Sequence, residues 1–190
     1  MDITQLDMPD IVSYLVENST EWIRSQRAHH MALSKELPDT TRQALMGYFE
    51  PETLTLARFR RVPSIDNPGF YSEFERVGER IPLDFSSWAA ITFGEVILVN
   101  ESLVPAPLPH SVVFHEMVHL VQYQVLGIEE FSRRYVERLA QTRFQYMNIP
   151  LETEAFDLQE RFERSHGEVF SAEAVIRGSL SRSSVGGTAP

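Results

Sequence analysis

There is no cysteine among the 190 residues. The chain can therefore form no disulfide and offer no thiolate, and any metal it held would rest on His, Asp or Glu. That absence fits a reducing compartment, and the cytoplasm is the expected location. Long apolar runs are missing as well. All fall far short of the roughly eighteen residues that a membrane span needs, so a soluble protein without a membrane span is expected. The start, Met1-Asp2-Ile3-Thr4-Gln5-Leu6-Asp7, is acidic and lacks the apolar stretch of a secretory signal. Positive charge is scarce: 17 Lys and Arg stand against 27 Asp and Glu, for a formal net charge of −10. A nucleic-acid partner, which usually calls for a basic face, is not expected.

What is present suits a globular domain. The chain is 43% hydrophobic and 23% charged, and its length allows one domain with a sizeable core. Ile11, Tyr14, Leu15, Asn18, Trp22 and Ile23 recur at helical spacing and predict a helix from about Pro9 to Leu33. Pro38-Asp39-Thr40 opens a second, shorter helix to about Phe49, which Pro51 closes. Residues Thr53 to Val62 read as a strand, and Phe70 to Val77 as a short helical or irregular stretch. Ala89 to Asn100 reads as β, with Gly94-Glu95 as a hairpin turn or bulge inside it. Pro105, Pro107 and Pro109 make a stiff connector. A nearly all-apolar helix follows and stops at Gly127. A second helix runs from Ile128 to about Tyr146, and a third starts at Pro150 and continues to about Arg164. The tail from Gly178 is small and polar and is expected to lack structure. Helices, then strands, then helices predict an α+β fold, with one domain over 1–177 and a disordered tail over 178–190.

The chemistry concentrates in His115-Glu116-Met117-Val118-His119. Histidines four apart on a helix lie on one face, one turn apart, so one cation can take both. Glu116 lies about 100° round and can hold a water at the metal rather than the metal itself. An HExxH match arises by chance in about one per cent of chains of this length and composition. Here it falls in the most hydrophobic helix, where each unsatisfied polar group costs about 1–3 kcal/mol. A metal site explains that placement and chance does not. A catalytic zinc takes three protein ligands and keeps a fourth position open. Glu152 and Glu154, at the start of the helix opened by Pro150, are the candidates for the third. They sit about 200° apart, so at most one faces the metal. As acids of a first helical turn, both also suit the macrodipole alone.

HEMVH followed by Glu152-Thr153-Glu154-Ala155 resembles the zincin metallopeptidases, and more narrowly the gluzincins, whose third ligand is the glutamate of an E-x-x-A motif. The resemblance covers about residues 109–160. The segment Ala89 to Asn100 is similar to the strand that precedes the active-site helix in zincins. The resemblance implies a small zincin-like domain in which a Zn2+ ion is held by His115, His119 and Glu152, with Glu116 as catalytic base. It places Glu154 outside the ligand set. One departure is Phe156, which stands where the pattern has an Asp or Asn that orients a ligand histidine. Asp157 or Gln122 is then the substitute.

The function implied is a zinc-dependent metallopeptidase or small amidohydrolase acting on a peptide or protein substrate. Glu116 would move the proton of the attacking water. Tyr123, one turn beyond His119, and Tyr146 and His166, which flank the Glu152 helix, are candidate donors to an oxyanion, although aromatic packing or a surface position explains each as well. His29, His30 and His110 have no spacing partner and read as solvated or capping residues. Two other functions compete: a regulatory or binding module that keeps a zinc site without robust proteolysis, and an acidic scaffold without metal. Retention of Glu116 favours the hydrolase, since a structural site has no use for a base.

Overall fold

The computed structural model describes residues 7–78, 81–142, 145–165 and 168–185. The fold is α+β and mostly helical, with a small sheet beside a long central helix. Helix α1 spans Met8–Met31; the Asp7 carboxylate caps it by accepting from the Asp10 N–H at 3.0 Å. The short helices α2 (Asp39–Leu45), α3 (Pro51–Leu56) and α4 (Tyr71–Arg76) follow, among strands β1 (Lys35–Glu36), β2 (Arg58–Val62), β3 (Ala90–Phe93) and β4 (Val96–Asn100). The sheet order is β1-β2-β4-β3. β4 runs parallel to β2 and antiparallel to β3, so β3 forms one edge. Every residue of β4 is buried, as expected for the apolar run Val-Ile-Leu-Val at the centre of a covered sheet.

The β3–β4 connection is the two-residue turn expected at Gly94-Glu95. Gly94 has φ 65°, a conformation that glycine adopts without the clash a Cβ would bring. A Cβ there would also lie 3.1 Å from Cδ of Arg27. That closeness reflects an ion pair. The Arg27 guanidinium reaches the Glu95 carboxylate, with Nε to Oε2 at 2.6 Å, and fastens α1 to the hairpin.

Helix α5 spans His110–Gln141 and is interrupted at Gly127, where φ 74° and ψ 168° break the helical path. Gly127 thus divides two helical segments, as the sequence predicts. Residues 113–123 are all buried, in keeping with an apolar helix at the centre of the fold. Helix α6 (Pro150–Arg164) starts with Pro150 in its first turn. It packs on α5 partly through the stacked rings of Phe114 and Phe162, 4.5 Å apart. Helix α7 (Ala172–Val185) lies against α5 as well.

Four expectations need correction. Helix α2 stops at Leu45 rather than near Phe49, because the backbone turns extended at Met46, with ψ 132°. Thr53 to Leu56 is not strand. Pro51 stands in the first turn of α3, where its missing N–H is harmless, and Thr53 and Leu54 bury themselves from that helix, so the strand begins only at Arg58. The second half of α5 ends at Gln141, and Tyr146 sits instead in a single 3-10 turn, Tyr146–Asn148. The polar tail continues as helix to Val185, because Ile176 and Leu180 are buried against the core. Residues 186–190 lie outside the described residues.

Candidate metal centre

The centre is built where α5 and α6 meet. Its first two members come from adjacent turns of α5. His115 and His119 are both buried, and their Nε2 atoms face one another at 3.1 Å. The third comes from the first turn of α6. Glu152 is 2% exposed, and its Oε2 lies 3.4 Å from His115 Nε2 and 3.3 Å from His119 Nε2. Of the two acids left open by the sequence, Glu152 is the one the fold brings to the histidines. Among the described residues, His115, His119 and Glu152 are the group of three ligands close enough to share an ion.

The far side of each imidazole is fixed by a glutamine. His119 Nδ1 is 2.8 Å from Oε1 of Gln122, and His115 Nδ1 is 3.1 Å from Oε1 of Gln159. An amide oxygen only accepts, so each Nδ1 carries a hydrogen and each Nε2 is turned to the centre. This is the outer support that metal-binding histidines ordinarily have. Gln122 is itself held, because its amide donates to the Leu151 carbonyl and to Glu154 Oε2, both at 3.0 Å. Ser179 of α7 donates to the other Glu154 oxygen. Glu154 is thus engaged by Gln122 and Ser179 and braces the residue that contacts His119. Phe156, at the position where an Asp or Asn was expected, packs its ring against that of His115, with centroids 4.5 Å apart and planes tilted by 58°. Asp157 lines grooves away from this centre.

Two phenols complete Glu152. Tyr135 donates to Oε1 at 3.0 Å, and Tyr146 donates to Oε2. Burial and the neighbouring carboxylate push both phenols well above their ordinary range, so they remain donors. Burial alone would raise the Glu152 carboxyl, but the two imidazoles outweigh it and hold the group well below the usual range. Burial likewise opposes charge on His119, yet the Glu152 carboxylate raises it to about 9.

Glu116 points to the same cavity without joining the triad. Its Oε2 accepts the Thr92 hydroxyl of β3 at 2.7 Å, and that hydroxyl also lies 3.1 Å from the Glu116 carbonyl. Burial raises the Glu116 carboxyl above its usual value, against the lowering pull of His115 and His119. Tyr123 lines the cavity, its ring stacked on Phe131 at 3.9 Å. His166 lies outside the described residues.

Thr92, Tyr135 and Gln159 were not singled out in the sequence. Gln159 had a usable signal: Glu152, Ala155, Phe156 and Gln159 follow the i, i+3, i+4, i+7 pattern of one helical face. Tyr135 had none, since the break at Gly127 separates its helical phase from that of the histidines. Thr92 is brought to Glu116 only by the packing of β3 on α5.

The donor set fits a metal. A tetrahedral ion with bonds of about 2.0–2.1 Å spaces its ligand atoms about 3.3–3.4 Å apart. The separations here are 3.1, 3.3 and 3.4 Å. Two imidazoles and one carboxylate suit zinc or another borderline divalent ion. Comparison with protein-family models, curated proteins and solved structures finds no match for the chain.

Proposed function

We propose that the protein is a zinc-dependent hydrolase of the gluzincin kind, cleaving amide or peptide bonds. The observation that carries this reading is the triangle of His115 Nε2, His119 Nε2 and Glu152 Oε2 at tetrahedral-ligand spacing, with the Glu116 carboxylate beside it in one cavity. The order α1, edge strand β3, HExxH helix and glutamate helix supports the zincin-like reading.

When bound, zinc acidifies a water at its open position and polarises the scissile carbonyl. Everything else falls to the chain. Gln159 and Gln122 hold the imidazoles of His115 and His119 with Nε2 toward the centre, so a metal has a proton to displace from His119 and no ring to turn. Glu116 takes the proton of the attacking water and returns it to the leaving nitrogen. Thr92 keeps its carboxylate aimed at the cavity. Tyr135 and Tyr146 hold Glu152 through their hydroxyls. Tyr123 lies in the same wall.

The test is zinc content and hydrolysis of a broad library of blocked peptides and simple amides, in the full chain and in Glu116→Gln. The expected result is hydrolysis by the first, none by the second, and equal zinc in both. Equal turnover by both would refute the assigned base.

A further inference from the structure

The cavity beside the centre is polar at one end only. There the walls are Thr92, Glu116, the histidines, Glu152 and the phenols. Away from that end they are mainly apolar and come from three places: Leu15, Trp22 and Ile23 of α1; Phe70, Ile81, Leu83 and Phe85; and Phe131, Val136 and Leu139 of the second half of α5. Rings join the cover to the centre. Trp22 meets Phe85 at 5.0 Å, Phe85 meets Trp88 at 4.6 Å, and Trp88 meets Tyr146, the donor to Glu152, at 4.8 Å. The space is about 100 Å³, of the order of the apolar cavity of about 150 Å³ that takes up benzene.

The charge of the lining is equally selective. Among the described residues that line it there is no lysine, no arginine, and no acid besides Glu116 and Glu152. Both acids have work at the centre. Among those described residues a substrate carboxylate finds no cation, and an ammonium finds no carboxylate left over. Burying either charge unpaired is costly. Ser132, one of the few other polar groups there, already gives its hydroxyl to the Ile128 carbonyl at 2.8 Å.

We infer that this cavity selects an uncharged substrate: a compact apolar group, of the size of a branched aliphatic side chain or a phenyl ring, attached directly beside the reacting carbonyl, with no free amino or carboxylate terminus at that bond. The inference rests on the hydrolase reading for the reacting carbonyl. The class covers small neutral amides and the interior bonds of blocked peptides.

The protein's only two tryptophans, Trp22 and Trp88, both line the cavity, so their emission reports its occupancy whether or not a bond is cut. The full chain, with and without zinc, is titrated with 4-methylpentanamide, leucinamide, N-(4-methylpentanoyl)glycine and its neutral glycinamide. The two neutral compounds are expected to give a saturable emission change, with at least tenfold weaker binding of the two charged ones. A signal from 4-methylpentanamide alone assigns the cavity to small amides, and one shared with the glycinamide admits peptide bonds. Equal or tighter binding of a charged compound, or no response to either neutral one, overturns the inference. Ser19→Phe and Ala140→Leu fill the cavity from two different helices, α1 and α5. In either variant with an unchanged melting temperature, the neutral signal is expected to fall at least tenfold, and full retention would also overturn the assignment. Neutral binding without zinc or hydrolysis would defeat the hydrolase reading and leave the cavity assignment standing; zinc-dependent cleavage confined to charged termini would do the reverse.

Discussion

Gln122 holds His119 by its amide oxygen, 2.8 Å from Nδ1, while its amide nitrogen is anchored to α6 through Leu151 and Glu154. One neutral side chain thus orients a candidate ligand and fastens together the two helices that supply the ligand set. Removing it frees the imidazole and leaves a buried Nδ1–H unpaired. We expect Gln122→Ala to weaken zinc binding by roughly 10–100-fold, measured by competition with a chelating dye. Unchanged affinity would show that His119 is oriented by packing alone.

Glu152 and Glu154 are two residues apart and have separate tasks. Glu152→Ala removes the proposed third ligand and is expected to abolish stoichiometric zinc binding. Glu154→Ala acts through Gln122 and is expected to weaken binding by no more than about tenfold. Zinc titrations of both variants check this, and the opposite ranking would assign the third ligand to Glu154.

In the metal-free protein, the proton on His119 takes the place of a cation against Glu152. Its pKa rises from 6.5 unfolded to about 9 folded. A raised folded value means that the stabilisation is complete below about 6.5 and is lost as pH rises through 9. Metal-free melting temperatures are therefore expected to fall across that window, and less so in His119→Asn. Zinc must displace the same proton, so its affinity is expected to rise with pH over the same interval. An affinity independent of pH between 6.5 and 9 would contradict a protonated His119.

The Arg27–Glu95 ion pair ties α1, one wall of the cavity, to the β3–β4 turn. Arg27 is 42% exposed, so solvent screens the pair, and Glu95→Gln is expected to cost about 1 kcal/mol near neutral pH. Arg27 holds the Glu95 carboxyl below its ordinary value of 4.5, against the opposing effect of burial. A depressed folded pKa means that this contribution is present above 4.5 and is lost as pH falls through the folded value. Denaturant melts of the variant and the parent should converge at the acid end.

Much of the centre was legible because its signals are local. The i, i+4 histidines and the proline opening α6 depend on a few neighbouring residues. So does Gly127, where the sequence asks for a helix end and the chain turns with φ 74°. What remained open depended on distance in the chain. Glu152 and Glu154 look alike until α6 is set against α5, and the side of α6 that faces inward then decides between them. Thr92 reaches Glu116 across 24 residues of separation, through sheet packing that no spacing rule encodes. Pro51 read as a stop for one helix because it is also a good start for the next. The tail looked too polar to fold, yet Ile176 and Leu180 suffice to hold α7 on the core.

The most direct measurement is the metal content of the intact protein by native mass spectrometry after zinc supply and removal of excess, alongside His119→Ala. We expect about one zinc ion on the native chain and none on the variant. A native chain that retains no zinc, or a variant that retains as much as its parent, would contradict a metal centre at His115, His119 and Glu152.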